Sequence, residues 1–210
     1  MKAKQKIIDI SPEISKDLAV WPGDLAFQRK ISMSFEDQNH MDLSGIQSTL
    51  HLGAHADAPS HYHAQGNSID QIDLSVYMGP CQVIEVQCSP HKSIKPDDIE
   101  QIEITTARVL FKTNSYPDPQ IFNKDFMSLS PELVEYLAKS RVLLVGIDTP
   151  SVDPFSSKDL IAHKALYAHK IANLEGLVLS HVAPGNYNLI ALPLKLKDCD
   201  ASPVRAILTS

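Results

Sequence analysis

His51-Leu52-Gly53-Ala54-His55-Ala56-Asp57-Ala58-Pro59-Ser60-His61-Tyr62-His63 holds four of the protein's nine histidines in thirteen residues. An even scatter would place about one histidine or fewer in so short a window. Imidazole nitrogen and carboxylate oxygen are the donors that borderline divalent cations prefer, so the cluster points to a metal site. Gly53 lets the backbone come close to whatever His51 and His55 hold. Pro59 biases Ala58 away from helical angles and stiffens the path from Asp57 to His61. The expected local structure is the end of a strand, Gln47 to Leu52, running into a rigid loop rather than one face of a helix. Two or three ligands from one segment do not close a site, since structural zinc takes four and catalytic zinc about three plus water. The rest of the chain must supply more.

With 210 residues, the chain can bury one substantial core, and one domain over residues 1–210 fits better than two small ones. It is 43% apolar and 21% charged, without a run near the length of a membrane span. A net charge of -6 and the absence of a Lys/Arg block argue against nucleic-acid and anionic-membrane partners. Cys81, Cys88 and Cys199 are too few and scattered for a disulfide framework, and no Cys-x-x-Cys pair suggests a thiolate site. Cys81 and Cys88, seven apart, would point to opposite faces of a continuous strand. The basic start Met1-Lys-Ala-Lys-Gln-Lys6 leads into Ile7-Ile-Asp-Ile-Ser-Pro12 with no apolar signal-peptide core, so a cytoplasmic location is expected.

Ile7 to Ile10 reads as a first strand, and Val20-Trp21-Pro22-Gly23-Asp24 as a turn carrying the only tryptophan. An aromatic on a loop can wall in an aromatic ligand, although packing explains a lone Trp equally well. Phe27 to Phe35 alternates as a second strand, followed by a polar loop, Glu36 to His40. Gly66-Asn67-Ser68 is a turn, and Ile69 to Tyr77 a short helix or irregular stretch. Cys81 to Val86 and Ala107 to Thr113 read as strands, and Lys95 to Glu100 as a short helix with Pro and acids in its first turn. Ser130-Pro131-Glu132-Leu133 supplies a cap, a proline at the first helical position and apolar residues at helical spacing. Val142 to Ile147 is apolar throughout, as a strand covered on both faces should be. Asp148 to Pro154 is a loop at its carboxyl end. Residues 158 to 172 alternate like a helix, and Gly176 to Leu179, Tyr187 to Leu194 and Val204 to Leu208 read as late strands. The rhythm predicts an α/β fold with a mixed sheet and flanking helices, with neither a phosphate loop nor a repeat.

The missing ligands have candidates in Ala162-His163 to Glu175-Gly176, which holds two histidines and a glutamate. His163 and His169 are six apart and lean to roughly opposite sides of a helix, so they should not both be ligands. Spacing does not choose between them.

His51-x3-His55-x-Asp57-x-Pro59-x-His61 resembles the signature of the cyclase-like metal hydrolases. Within that superfamily the chain is similar to the bacterial kynurenine formamidases over nearly its whole length. Besides the histidine motif, the likeness rests on Asp9-Ile-Ser-Pro12, Val20-Trp-Pro-Gly-Asp24, Tyr77-x-Gly-Pro-Cys81, Leu129-Ser-Pro-Glu132, Val145-Gly-Ile-Asp-Thr-Pro-Ser151 with Asp153-Pro154, Leu174-Glu-Gly176, Pro184 to Pro193, and Asp200-Ala-Ser-Pro-Val-Arg205. It implies a cyclase-like (swivelling β/α) fold and two divalent ions, zinc first and manganese as the alternative. His51, His55 and Asp57 would bind one ion, His163 and Glu175 would complete the second, and the carboxylates would be shared. His61 would be the general acid and base, Trp21 would contact substrate, and His163 is preferred over a structural His169. His40, His63, His91 and His181 match no ligand position. One departure is Leu52, where the family commonly has Thr beside the ligands.

The implied reaction is hydrolysis of N-formyl-L-kynurenine to L-kynurenine and formate, by water activated on the ion pair, in a homodimer acting on a small aryl formamide. Opening of isatin, or of another cyclic or aryl amide, is the enzymatic alternative. A non-catalytic metal-binding scaffold would need the acid–base position to be lost, and His61 is present.

Overall fold

In the computed structural model, residues 6–87 and 92–210 are described. The basic residues Met1 to Gln5, the facing of Cys88 and the surface placement of His91 lie outside that set. Thirteen strands run in chain order: β1 Ile7–Asp9, β2 Gln28–Met33, β3 Leu43–Gln47, β4 His55–Asp57, β5 Met78–Glu85, β6 Ser93–Ile94, β7 Arg108–Lys112, β8 Ser128–Leu129, β9 Leu144–Ile147, β10 Ala172–Glu175, β11 Gly185–Ile190, β12 Ala201–Pro203 and β13 Ile207–Thr209. The helices are α1 Pro59–Tyr62, α2 Pro131–Lys139 and α3 Ile161–His169. Among the described residues, no helix is long and apolar enough to cross a membrane.

Nine strands form one mixed sheet in the order β1-β13-β11-β5-β7-β9-β10-β4-β12, as the α/β reading expects. Its centre, β5-β7-β9-β10, is parallel, and the pairs toward both edges are antiparallel. The central strands are buried on both faces. Leu110, Leu144 and Leu174 face one core cluster with Ile10, Tyr77 and Leu208, while Val109, Phe111, Val145 and Ile147 face the cluster covered by Leu133, Leu137 and Leu166 of α2 and α3. β12 ends the strand order and β13 stands second from the other end, beside β1, yet only Val204, Arg205 and Ala206 separate them. A chain that short spans about 14 Å at most, so the sheet must curl until its ends approach each other.

Four local expectations are corrected. The strand placed at Gln47 to Leu52 falls earlier, at Leu43–Gln47, where it forms a separate two-stranded ribbon with β2. Residues 48–54 are irregular, because Thr49 N–H donates to Leu25 O (2.8 Å), His51 N–H to the Thr49 hydroxyl (3.3 Å), and Gly53 turns at φ +57. The expected rigid loop after His51 is instead a strand, β4, followed by one helical turn. Ala58 is extended (φ -92, ψ 151), as a residue before proline should be, but Pro59 then occupies the first turn of α1, where it needs no N–H. The strand expected at Gly176 to Leu179 lies one element earlier, at β10, because Gly176 turns out of it at φ +64. The strand expected at Val204 to Leu208 starts later, as β13 at Ile207, because Val204 to Ala206 form the connection from β12.

Gly176 packs so closely that a Cβ there would lie 2.1 Å from the carbonyl oxygen of Gly53. Left-handed backbone costs a side-chain-bearing residue about 1–2 kcal/mol, and overpacking adds about 1–3 kcal/mol. Gly176→Ala is therefore expected to destabilise the metal-free protein by about 2–5 kcal/mol in urea unfolding. An unchanged midpoint would contradict this packing.

Candidate metal centre

The centre lies where β10 ends against the start of β4. Antiparallel pairing sets Glu175 opposite His55, and period-two alternation puts Asp57 and Asn173 on the same face. Asn173 Nδ2 donates to Asp57 Oδ2 (2.7 Å) and to Glu175 Oε1 (3.1 Å), and Val152 N–H donates to Glu175 Oε1 (2.9 Å). Parallel strands β7 and β9 end beside it, so the site occupies the carboxyl edge of the sheet, where open α/β sheets hold ligands.

α3 brings the distant histidine. Its flanking residue Leu160 is left-handed (φ 49) and offers no side-chain cap. Asp153 takes that role from outside the helix, accepting from Ala162 N–H (3.0 Å) and His163 N–H (3.1 Å). The same carboxylate lies 2.7 Å from His163 Nδ1, which leaves Nε2 facing Asp57 Oδ2 (3.2 Å) and Glu175 Oε1 (3.3 Å). His55 is oriented in parallel fashion: Nδ1 lies 2.9 Å from Gly53 O, and Nε2 points at Asp57 Oδ1 and Glu175 Oε2, each 3.4 Å away. Such partners fix which ring nitrogen is free to ligate.

His51 Nδ1 lies 2.9 Å from Asp57 Oδ1. Potential ligand atoms gather in two groups, His51–Asp57–His61 and His55–Asp57–Glu175, with Asp57 common to both. The expected grouping put His51 with His55. The structure sets His55 nearer Glu175 and adds His61 to the His51 side. His169 is exposed at the far end of α3, His40 and His181 are exposed, and His63 stacks on Tyr167 at 3.9 Å between centroids.

Two observations test whether this set suits a cation. His55 Nε2 and Asp57 Oδ1 are buried without a well-directed hydrogen bond, Oδ1 despite His51 Nδ1 at 2.9 Å, which is costly unless something binds them. Among the described residues, every ion-pair partner of Asp57, Asp153, Glu175 and Asp200 is a histidine, so no Lys or Arg neutralises four clustered carboxylates. Nitrogen and oxygen donors with unmet charge fit divalent ions well. Burial opposes charge on each group, but contact among them prevails. Asp57 and Glu175 hold His55 up at about 10, Asp153, Asp57 and Glu175 hold His163 well above its ordinary value, and His163, His51 and His55 hold Asp57 well below its own. His61 goes the other way: burial lowers it, and Asp57 only partly offsets that.

Trp21 lines a cavity of about 450 Å³ together with His51, His55, His61, His163 and Glu175. Its ring is 4.9 Å from Phe155, 5.5 Å from Phe122 and 6.3 Å from Phe126 between centroids. Sequence reasoning missed Asp153, Asn173 and Asp200. The signals available were the second acid of the Asp148 to Asp153 loop and the alternation Asn173-x-Glu175.

The sequence profile described as "Putative cyclase" matches residues 8–154. The chain belongs to that cyclase family. A relative named kynurenine formamidase, from Salinibacter ruber, is 44% identical over 205 residues, covering 96% of each chain. A solved structure from Bacillus stearothermophilus, described as a predicted metal-dependent hydrolase, superposes with TM-score 0.84 at 28% identity over 99% of each chain. Isatin hydrolase A from Labrenzia aggregata shares the fold, with TM-score 0.83 at 22% identity over 98% of this chain and 93% of that one.

Asp57 and Glu175 favour the protonated form of His55 in the metal-free protein, so a cation held by His55 would have to displace that proton. Zinc affinity is accordingly expected to strengthen as pH rises from about 6 to about 8, with protons released on binding. Calorimetry in buffers of different ionisation enthalpy measures both, and an affinity flat across that range would contradict the assignment.

Proposed function

We propose that this chain is an arylformamidase that hydrolyses N-formyl-L-kynurenine to L-kynurenine and formate. The observation that carries the reading is the convergence of His51, His55 and Asp57 with His163 and Glu175 beneath an aromatic-walled cavity, and the names of the relatives support it. Those five residues would hold two divalent ions, zinc first and manganese as the alternative, with Asp57 and Glu175 shared. When bound, such ions polarise a carbonyl oxygen and bring the pKa of water from about 16 to about 7.

The chain's own groups do the rest. A cavity of about 450 Å³ suits a one-ring substrate, and Trp21 with Phe122 offers the aryl ring edge and face contacts. His61 lies beside His51, with 4.2 Å between ring centroids, and its side chain is one-third exposed toward the cavity. Burial keeps it neutral at neutral pH, so it accepts the proton released by attacking water. It returns that proton to the aryl nitrogen, which leaves poorly as an anion. The reading extends to a cytoplasmic homodimer, for which exposed Ile31, Leu43 and Ile46 of the β2–β3 ribbon supply apolar surface.

Metal-stripped protein resupplied with zinc or manganese is expected to release formate from N-formyl-L-kynurenine, and faster than it opens isatin. His61→Ala is expected to keep its metal and lose ~10²–10⁴-fold in kcat. Full turnover by that variant at full metal content would remove His61 from the mechanism, and preference for isatin would favour the shared-fold alternative.

A further inference from the structure

The motif Asp200-Ala-Ser-Pro-Val-Arg205 has no part in the ligand set, yet it reaches the site. β12 pairs with β4 so that Ala201 lies opposite Asp57, and Asp200 O accepts from Ala58 N–H (2.8 Å). This pairing fixes the backbone of Asp200 independently of its side chain. The side chain then places a single oxygen, Oδ2, 3.1 Å from His51 Nε2 and 3.5 Å from His61 Nδ1. We propose that Asp200 is a positioning residue that holds a metal-ligating histidine and the acid–base histidine together through one carboxylate oxygen.

Two consequences follow from the atoms involved. With a proton on Nε2 directed at Asp200, His51 presents the lone pair of Nδ1 toward Asp57, 2.9 Å away. With a proton on Nδ1 directed at the same oxygen, His61 keeps Nε2 free for the cavity, as the orienting acid of a catalytic triad does for its histidine. Asp200 touches no other described ionic partner, and its side chain is half exposed, so packing does not explain its placement. The two histidines sit at opposite ends of the motif His51-x3-His55-x-Asp57-x-Pro59-x-His61, and no local feature of that motif sets the angle between their rings. A residue about 140 positions away does so through sheet register.

The inference rests on reading His51 as a ligand and His61 as the proton carrier, and its test separates the two. Zinc-loaded wild type, Asp200→Asn and Asp200→Ala are compared by 15N-edited NMR of histidine side chains, by zinc affinity after stripping, and by kcat and KM for formate release. In wild type the proton is expected on Nδ1 of His61 and Nε2 of His51. Asp200→Ala is expected to lose the His61 assignment, to weaken zinc binding about 10–100-fold, and to lower kcat by a similar factor with little change in KM. Asp200→Asn, whose amide oxygen still accepts one N–H, should fall between. Wild-type tautomers and zinc affinity in Asp200→Ala would overturn the proposal, as would a loss in Asp200→Ala that Asp200→Asn does not partly restore. Tautomers and affinity are read without turnover, so they decide the point even if formate release fails in every protein.

Discussion

Asp57 is a buried carboxylate whose only ionic partners among the described residues are imidazoles, at 2.9 to 3.4 Å. A buried charge without adequate compensation is expensive. Glu175 and Asp153 repeat the problem within the same few ångströms, and Asp200 adds a partly exposed fourth acid. Neutral imidazoles cannot balance these groups. Either protons or cations must, and the perturbed histidines express that competition. The arrangement is costly as a structural core and well suited to divalent ions.

Much of the fold serves to hold this charge in place. β4 is three residues long, yet it sits between β10 and β12, so one pairing aligns His55 with Glu175 and the other brings Asp200 to His61. The close approach of Gly176 to Gly53 matters because Gly53 O also lies 2.9 Å from His55 Nδ1. Asp153 likewise serves twice, capping the start of α3 and orienting His163. Stability and ligand geometry are coupled at both places, since the same backbone contact or carboxylate supports each.

Elements stated by local chemistry were legible in the sequence. Of the run Val142 to Ile147, Leu144 to Ile147 form β9, buried on both faces, and Ser130 caps α2 through Leu133 N–H at 3.1 Å. The histidine motif announced a metal site because its residue types are chemically unusual together. What stayed hidden depends on register between distant segments. β4 and β12 are too short to show periodicity, and the turn residues Gly53 and Pro59 around β4 mask its alternation. His163 and His169 differ by which turn of α3 meets Asp153, and spacing within the helix carries no trace of that. Asp200 carries no local signal in the sequence, because it meets His51 and His61 only when β12 pairs with β4.

The two likenesses that touch substrate differ in weight. Identity of 44% over 96% of a kynurenine formamidase bears on chemistry, whereas 22% to an isatin hydrolase bears on fold alone. Both substrates are aryl amides, so the floor of histidines and acids would serve either one. Discrimination between them must come from the walls around Trp21. The shared carboxylate at the floor is the feature that everything above depends on, and anomalous diffraction at the zinc edge from zinc-reconstituted crystals tests it most directly. Two peaks about 3.5–4 Å apart, both contacting Asp57, are expected; a single peak, or none beside Glu175 and His163, would contradict it.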